Sequence, residues 1–156
     1  MAISAGQEAP DFALFDTSKK KVALHDYRGR NVVLLFFPFA FSSTCTKELC
    51  DIRDNISLYN NSNAQVLGVS VDSLYTLAKY KEEQHLNFPL LSDFNKEVSI
   101  AYGSLYQTFG YDMQGVSKRT AFVIDKEGVV RYAEVLEKAN QIPDFEAIHK
   151  TLAQCN

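Results

Sequence analysis

The sequence lacks an apolar run long enough to cross a bilayer and an apolar leader at its amino end. Its longest apolar run, Val32 to Phe41, is interrupted by Pro38 and is far shorter than the about 20 residues that a membrane helix needs. Residues 1–11 contain neither a cationic start nor an apolar stretch, so no secretory signal is expected. The sequence therefore predicts a soluble, cytoplasmic protein with no membrane partner.

An excess of positive charge is also missing. The 156 residues include 16 Lys or Arg and 19 Asp or Glu, which gives a net charge of −3. The only basic run, Lys19 to Lys21, fits a solvated hairpin turn. Because nucleic-acid phosphates are bound by clustered Lys and Arg, no nucleic-acid partner is expected.

Cysteine is scarce, with three residues at positions 45, 50 and 155. An odd count in a chain of this length favours reduced thiols over a structural disulfide framework. The sequence has no Cys-x-x-Cys pair, the motif that tunes thiol–disulfide exchange, and no cluster of Cys and His at metal-ligand spacing. We therefore expect no metal and no organic cofactor, and a thioredoxin-type exchange activity is disfavoured.

Apolar patterning predicts helices that alternate with buried strands. Residues 31–37 are apolar after Asn31 and do not alternate, as in a strand covered on both faces. A stripe of apolar residues at spacings of three and four predicts a helix from residue 43 or 44 to Tyr59. Residues 104–118, with two glycines, are expected to form a long loop that is functional or mobile. The other predicted elements are a hairpin at 12–24, strands at 64–71 and 88–91, helices at 73–85 and 96–102, a hairpin at 120–135 and a last helix from near Pro143. This order predicts one α/β domain, residues 1–156, in which helices flank a central mixed sheet.

The segment with the most chemical information runs from Pro38 to Cys50. A buried strand ends at Pro38, hydroxyl side chains follow at 42–44, and Cys45 falls in the first turn of the next helix. The free N–H groups and positive dipole end of a helix start favour an anion, so a thiol there is stabilised as the nucleophilic thiolate. Cys45 also lies on the apolar stripe of its helix. The residues alone therefore leave two interpretations open, a reactive thiolate or a small buried apolar side chain.

Several motifs, in order along nearly the whole chain, resemble those of the peroxiredoxins. The segment Pro38-x-x-x-Ser42-x-x-Cys45 is similar to the active-site motif of that family, Pro-x-x-x-Thr/Ser-x-x-Cys. Further similarities are Ala9-Pro10-Asp11-Phe12 near the amino end, Leu24-x-x-Tyr27-x-Gly29 before the apolar strand, Thr46-x-Glu48 after the cysteine, and Arg119-x-x-Phe122-x-Ile124-Asp125 downstream. The resemblance implies a thioredoxin-like fold and a thiol peroxidase that reduces hydrogen peroxide and organic hydroperoxides.

The resemblance also implies a role for each matching residue. Cys45 attacks the peroxide and becomes a sulfenic acid, and Arg119 holds it as thiolate and stabilises the charge on the leaving oxygen. Ser42 hydrogen-bonds the peroxide, Pro38 shields the sulfur, and Glu48 orients Arg119. The family more often has Thr where this chain has Ser42, so the hydroxyl is kept and the methyl that fixes its rotamer is lost. The implied reductant is thioredoxin or a glutaredoxin-like protein.

Two signals around the second cysteine compete. Cys50 follows Cys45 by five positions, which resembles the peroxiredoxin Q class, also called bacterioferritin comigratory protein, where the second cysteine forms an intramolecular disulfide. The stretch from Pro38 to Ser42 looks more like the alkyl hydroperoxide reductase E class, often described as one-cysteine. On an ideal helix the two Cα atoms lie about 8 to 9 Å apart, whereas a disulfide needs about 4.4 to 6.8 Å. If Cys50 resolves the sulfenic acid, the helix must unwind locally.

The role of the third cysteine, the oligomeric state and the fate of the oxidised thiol stay open at the level of sequence. Cys155, next to the carboxyl end, is expected to be a spectator, with resolution or pairing to another chain as the competing roles. The two resembled classes suggest a monomer and a homodimer respectively. A one-cysteine cycle, a redox sensor and a thiol–disulfide relay could each use the same fold, since fold alone does not decide function.

Overall fold

The computed structural model describes residues 3–155. The sequence predictions for the domain and the amino end extend to residues 1, 2 and 156, which lie outside the described residues. The strands are β1 (Ala13–Asp16), β2 (Lys21–Ala23), β3 (Asn31–Phe36), β4 (Ala64–Ser70), β5 (Leu90–Ser92), β6 (Leu105–Thr108), β7 (Gln114–Ser117), β8 (Thr120–Ile124) and β9 (Val130–Val135). The α-helices are α1 (Ser43–Asp54), α2 (Ile56–Asn61), α3 (Leu74–Gln84), α4 (Glu97–Ala101) and α5 (Phe145–Cys155), and short 3-10 turns cover Leu24–Tyr27 and Gly110–Asp112.

Seven strands form one mixed sheet in the order β2-β1-β5-β4-β3-β8-β9. Strand β3 pairs parallel with β4 and antiparallel with β8, and β4 pairs parallel with β5. Every residue of β3 is buried, as its unbroken apolar run predicted. The predicted mixed α/β sheet with flanking helices is therefore confirmed.

Successive residues of β3 point to two separate cores, because side chains alternate across a strand. Val33 and Leu35 pack in a core with apolar side chains of α1, α2, α3 and α5. Val32 and Leu34 pack on the opposite face with side chains of α4 and of the amino-terminal hairpin. Helix α1, which carries Cys45, thus lies on the face covered by most of the helices.

The predicted helix from residue 43 to Tyr59 is interrupted, and this prediction was wrong in that respect. Helix α1 ends at Asp54 and α2 begins at Ile56, with Asn55 between them at φ −118° and ψ 22°. The Asn55 side-chain amide donates to the Asp51 carbonyl at 2.8 Å, so it competes with the helical backbone at this point. The break leaves the first three turns of α1, including both of its cysteines, as one regular segment.

The prediction of a long loop at 104–118 is also corrected by the structure. Strands β6 and β7 form a two-stranded antiparallel ribbon, with Tyr106 opposite Val116. The two glycines suggested a loop, but Gly115 lies inside β7 with a φ of 70°, a value that glycine adopts without strain. The ribbon is tied at its base by the Lys118 N–H, which donates to the Ser104 carbonyl at 2.6 Å.

The remaining helix boundaries agree closely with the sequence. The helix predicted at 73–85 corresponds to α3, and Ser73 caps it by accepting from the Thr76 N–H at 3.2 Å. The last helix begins at Phe145 rather than at Pro143, because Asp144 takes the capping position and accepts from the Ala147 N–H at 3.0 Å. Within residues 3–155 no helix is both long and apolar enough to span a bilayer.

Candidate active site

The start of α1 lies where β3 ends, near the middle of the sheet. The chain reverses at Phe41, whose φ of 69° is rare outside glycine, and Ser42 then takes the position before the first helical residue. The Ala40 N–H donates to Asp72 Oδ2 at 2.8 Å, and the Ser70 hydroxyl donates to the same oxygen at 2.7 Å. This carboxylate at the end of β4 therefore holds the loop that presents α1.

Arg119 reaches Cys45 because of the pairing between β3 and β8. Thr120, the first residue of β8, is opposite Phe36, the last residue of β3, so Arg119 comes beside the loop that follows β3. Its Nη2 donates to Cys45 Sγ at 3.2 Å, and both side chains are buried. The structure thus brings together the two residues that the sequence motifs placed in one site.

The guanidinium of Arg119 is fixed on all sides. Its Nη1 donates to Glu48 Oε1 at 2.6 Å, and its Nε and Nη2 donate to the Ala139 carbonyl at 3.2 and 2.9 Å. Burial alone lowers the pKa of Arg119, but Glu48 and Cys45 raise it by more, so the net shift is upward. The group is therefore a permanent, immobilised cation aimed at the sulfur.

Glu48 is fully buried one helical turn after Cys45, where it contacts the guanidinium as the resemblance implied. Burial raises the pKa of Glu48 to about 7, against the opposing effect of Arg119, and Glu134 raises it further. Its second oxygen, Oε2, is buried and meets no hydrogen-bond partner among the described residues. The carboxyl is thus held by one oxygen only.

A cavity of about 210 Å³ opens beside the guanidinium. Its walls include Pro38, Phe39, Ser42, Phe109, Arg119 and Asn140. Cys45 has no exposed surface and does not line the cavity, whereas the Arg119 that contacts its sulfur does. The two aromatic rings, 5.8 Å apart between centroids, give the cavity an apolar side.

Ser42 and Pro38, the two further residues to which the resemblance gave a role toward the peroxide and the sulfur, lie at the edge of this cavity. Pro38 is buried, and the Ser42 hydroxyl is exposed and donates to the Phe39 carbonyl at 2.9 Å. Because a hydroxyl has one proton, the Ser42 oxygen is left as an acceptor toward the cavity.

The other two cysteines lie apart from this contact, and all three are free thiols. Cys50 is partly buried on α1, where its Sγ donates to Gln84 Oε1 at 3.5 Å. Cys155, at the end of α5, lines a larger cavity of about 420 Å³ with Asp125 and Arg131, and burial raises the pKa of its thiol. Of these two cavities, the smaller one is the candidate active site, because a buried cation that lines it contacts a cysteine sulfur. Among residues 3–155 no group of His, Cys, Asp and Glu is arranged to hold a metal ion.

Sequence reasoning missed three parts of the site. Asp72 follows a buried strand, a position that could have marked it as a loop-holding carboxylate. Ala139 contributes only its backbone carbonyl, for which no side-chain signal exists. The hydroxyl contact between Thr46 and Tyr80, 2.9 Å long, joins α1 to α3 and depends on helix packing that the sequence does not specify.

Comparison with known proteins gives consistent results for sequence and structure. The family model described as the AhpC/TSA family matches residues 5–133. A Mycobacterium tuberculosis protein with a provisional peroxiredoxin name is 40% identical over 139 residues, covering 88% of each chain. Alkyl hydroperoxide reductase E of the same organism is 36% identical over 136 residues, covering 85% of this chain and 86% of that protein. The crystal structure of the peroxidoxin BcpB from M. tuberculosis superimposes with a TM-score of 0.87 at 28% identity, covering 99% of both chains.

Proposed function

Because the chain belongs to the AhpC/TSA family, the peroxiredoxins, we propose that Cys45 is the thiol with which it reduces peroxides. Membership of this family makes the protein an oxidoreductase that reduces peroxides at the expense of a thiol. The observation that supports Cys45 as the reacting residue is the 3.2 Å contact between its sulfur and the Arg119 guanidinium. A cation at that distance favours the thiolate, which is the nucleophilic form.

The reaction follows from this arrangement. The Cys45 thiolate attacks one oxygen of the hydroperoxide, a sulfur–oxygen bond forms, and the oxygen–oxygen bond breaks. The sulfur is oxidised to a sulfenic acid, and the leaving alkoxide takes up a proton to become an alcohol, or water when the substrate is hydrogen peroxide. Arg119 stabilises the negative charge as it moves from sulfur to the leaving oxygen.

Ser42 and Pro38 position the substrate. The Ser42 hydroxyl donates its hydrogen bond to the Phe39 carbonyl, so its oxygen accepts the hydrogen bond of the peroxide O–H. Pro38, buried against the cavity, keeps water away from the sulfur. Glu48 orients Arg119 through the 2.6 Å contact with Nη1.

Cys50 resolves the sulfenic acid in this proposal. Its thiol attacks the oxidised sulfur, a disulfide forms and water leaves. Both cysteines lie within the intact helix α1, where Cα atoms five residues apart are about 8 to 9 Å from each other and too distant for a disulfide. The first turns of α1 therefore unwind before the bond closes.

A dithiol reductant then restores both cysteines. Thioredoxin or a glutaredoxin-like protein attacks the disulfide and leaves with the oxidising equivalents as its own disulfide. The proposal takes residues 1–156 as one peroxiredoxin domain that acts in the cytoplasm as a monomer or homodimer.

A one-cysteine cycle, in which Cys50 does not resolve the sulfenic acid, is the second candidate. It is favoured by the intact α1 and by the hydrogen bond from Cys50 Sγ to Gln84.

Stopped-flow mixing of reduced protein with stoichiometric hydroperoxide tests the peroxidase assignment. Cys45→Ser should abolish rapid thiol loss, and the matched control Cys155→Ser should react like the parent. Thiol loss no faster than that of a free cysteine would exclude Cys45 as the peroxide-reducing residue. Insulin reduction without peroxide would indicate the exchange relay instead.

Peptide mass spectrometry after oxidation distinguishes the two cycles. Under the leading proposal the parent gives a Cys45–Cys50 disulfide, and Cys50→Ser stops at the sulfenic acid or is overoxidised. Under the one-cysteine cycle both proteins give the same sulfenic acid. Hydrogen exchange across residues 44–53 adds a second criterion, because equal protection in the reduced and oxidised forms would contradict unwinding of α1.

A further inference from the structure

Three buried groups at the active site carry one positive and up to two negative charges. Arg119 is 1% exposed, while Glu48 and Cys45 have no exposed surface. The guanidinium contacts Glu48 Oε1 through Nη1 at 2.6 Å and Cys45 Sγ through Nη2 at 3.2 Å. When Cys45 is a thiolate, Arg119 can balance one negative charge, so an ionised Glu48 would leave a net charge in the interior. A net buried charge is costly because no solvent compensates it.

The contacts of Glu48 favour a neutral carboxyl in that state. Oε1 accepts from Arg119, but Oε2 is buried without a hydrogen-bond partner among the residues that the structure describes. An ionised carboxylate has several lone pairs to satisfy on each oxygen, whereas a neutral acid carries its proton on one oxygen and spreads less charge. The unpartnered oxygen is therefore where a proton is most easily held.

Among residues 3–155, Arg119 is the one cation that acts on Glu48. Three other groups interact electrostatically with Glu48. Glu134 of β9 is acidic, and Tyr59 of α2 and Tyr80 of α3 are phenols whose pKa is raised by burial. Cys45, on α1 itself, competes for the same guanidinium. Each of these groups is thus neutral or negative, and Arg119 is the cation that contacts Glu48.

We propose that Glu48 holds the proton that the reactive Cys45 thiolate lacks, and that Glu48 ionises when the sulfur is oxidised to the neutral sulfenic acid. This rests on the proposed role of Cys45 in peroxide reduction. Before the reaction the site contains a thiolate, a guanidinium and a carboxylic acid. Afterwards it contains a sulfenic acid, a guanidinium and a carboxylate, so the buried charge is zero in both states.

The proton balance of the step changes accordingly. Thiolate, carboxylic acid and hydroperoxide give sulfenic acid, carboxylate and alcohol, and the proton lost by Glu48 equals the proton gained by the leaving oxygen. The first step then takes up no net proton from solvent. If Glu48 were ionised throughout and merely positioned Arg119, each sulfenic acid formed from thiolate would take up one proton.

The test is a single-turnover reaction with hydrogen peroxide in weak buffer containing a pH-indicator dye. A Cys50→Ser, Cys155→Ser background stops the chemistry at the sulfenic acid, and the ultraviolet absorbance of the thiolate is recorded at the same pH. At a pH below the pKa of Glu48 in the thiolate form and above its pKa in the sulfenic acid form, where the absorbance shows a thiolate, we expect close to no proton uptake. Glu48→Gln in the same background should take up one proton for each sulfenic acid.

Two outcomes would overturn the inference that Glu48 holds the proton. One is equal proton uptake in the background protein and in its Glu48→Gln variant. The other is a background protein in which Cys45 is a thiol at every pH where uptake is absent. A rate loss in Glu48→Gln with unchanged uptake would leave Glu48 as a positioning residue only. If Glu48→Gln does not fold, Glu134→Gln replaces it, and the range of pH without uptake should then shift to lower pH. If neither the background protein nor any of its variants forms sulfenic acid, the result would instead count against the proposed function of Cys45.

Discussion

The hydroxyl oxygen of Thr46 lies 2.9 Å from the hydroxyl oxygen of Tyr80, which links the first turn of α1 to α3. Thr46 donates its only hydroxyl proton to the Ser42 carbonyl at 2.9 Å, so Tyr80 must be the donor in the contact between the two hydroxyls. The Phe41 ring packs on Tyr80 with centroids 5.0 Å apart. The segment that must unwind for a Cys45–Cys50 disulfide is therefore attached to α3 through the buried Tyr80, in addition to the contact between Cys50 and Gln84.

Removal of the Tyr80 hydroxyl should make this unwinding easier. We expect Tyr80→Phe to lower the free energy of unfolding by about 1 kcal/mol, the usual net value of one hydrogen bond. The variant should form the disulfide faster, so a smaller fraction of Cys45 should reach the sulfinic acid at a given peroxide concentration. Mass spectrometry measures that fraction, with Tyr75→Phe as control because Tyr75 is 68% exposed. An unchanged fraction of sulfinic acid would show that the Tyr80 contact does not limit formation of the Cys45–Cys50 disulfide.

Replacement of Arg119 by lysine should slow peroxide reduction even though the charge is kept. A single ammonium cannot contact Cys45 Sγ, Glu48 Oε1 and the Ala139 carbonyl in the geometry of the planar guanidinium. We expect the rate constant to fall by about 10² to 10³, as for the loss of one preorganised donor at a reacting centre. Stopped-flow thiol loss measures it. Arg131→Lys is the control, since Arg131 pairs with Asp125 on the surface, and an equal effect of both changes would contradict a special role for Arg119.

Phe109 should matter more for organic hydroperoxides than for hydrogen peroxide. It lines the cavity and packs against Phe39 and Tyr106, with ring centroids 5.8 and 5.6 Å away. Phe109→Ala removes apolar surface that contacts an alkyl group, so the rate with cumene hydroperoxide should fall about tenfold. The rate with hydrogen peroxide, which lacks such a group, should change far less. Phe94→Ala removes an aromatic ring that is 62% exposed and should leave both rates unaltered, whereas a proportional fall of both rates in Phe109→Ala would contradict the prediction.

His149 should make the fold less stable in acid. Its ring lies 4.6 Å from the Tyr59 ring, and burial lowers the pKa of His149 below 6.5. The unfolded chain therefore binds a proton that the folded chain does not, so stability falls as pH decreases below the unfolded value. Urea unfolding at pH about 7.5 and about 5 should show a smaller difference in His149→Phe than in the parent.

His25 gives the control of opposite sign for this experiment. Asp11, 2.7 Å from His25 Nδ1, raises the pKa of His25, so its contribution to stability is present at low pH and lost as pH rises through the folded value. His25→Asn should therefore steepen the loss of stability in acid. Equal pH profiles for the parent and both variants would show that other groups set the acid response.

The local features of the site could be predicted from the sequence because neighbouring residues determine them. The unbroken apolar run of β3 indicated a strand covered on both faces, and the helix predicted at 73–85 agrees with α3 to within one residue at each end. Cys45 at the start of a helix follows from the hydroxyl residues before it and the apolar stripe after it. The ribbon at 104–118 was missed because Gly115, which lies within β7, is a residue type typical of loops.

The position of a cysteine at the start of a helix, shortly after a buried strand, could be predicted without coordinates, since both features depend on residues close together in the chain. The sequence motifs could associate Arg119 with Cys45 only through resemblance to a family, and the physical link is the antiparallel register of β3 and β8, which closes a separation of 74 positions to 3.2 Å. Tertiary packing alone decided that Ala139 holds the guanidinium with a backbone carbonyl and that Glu48 is buried with one oxygen unpartnered. Such long-range contacts depend on how strands pair and loops close, and no short stretch of sequence encodes them.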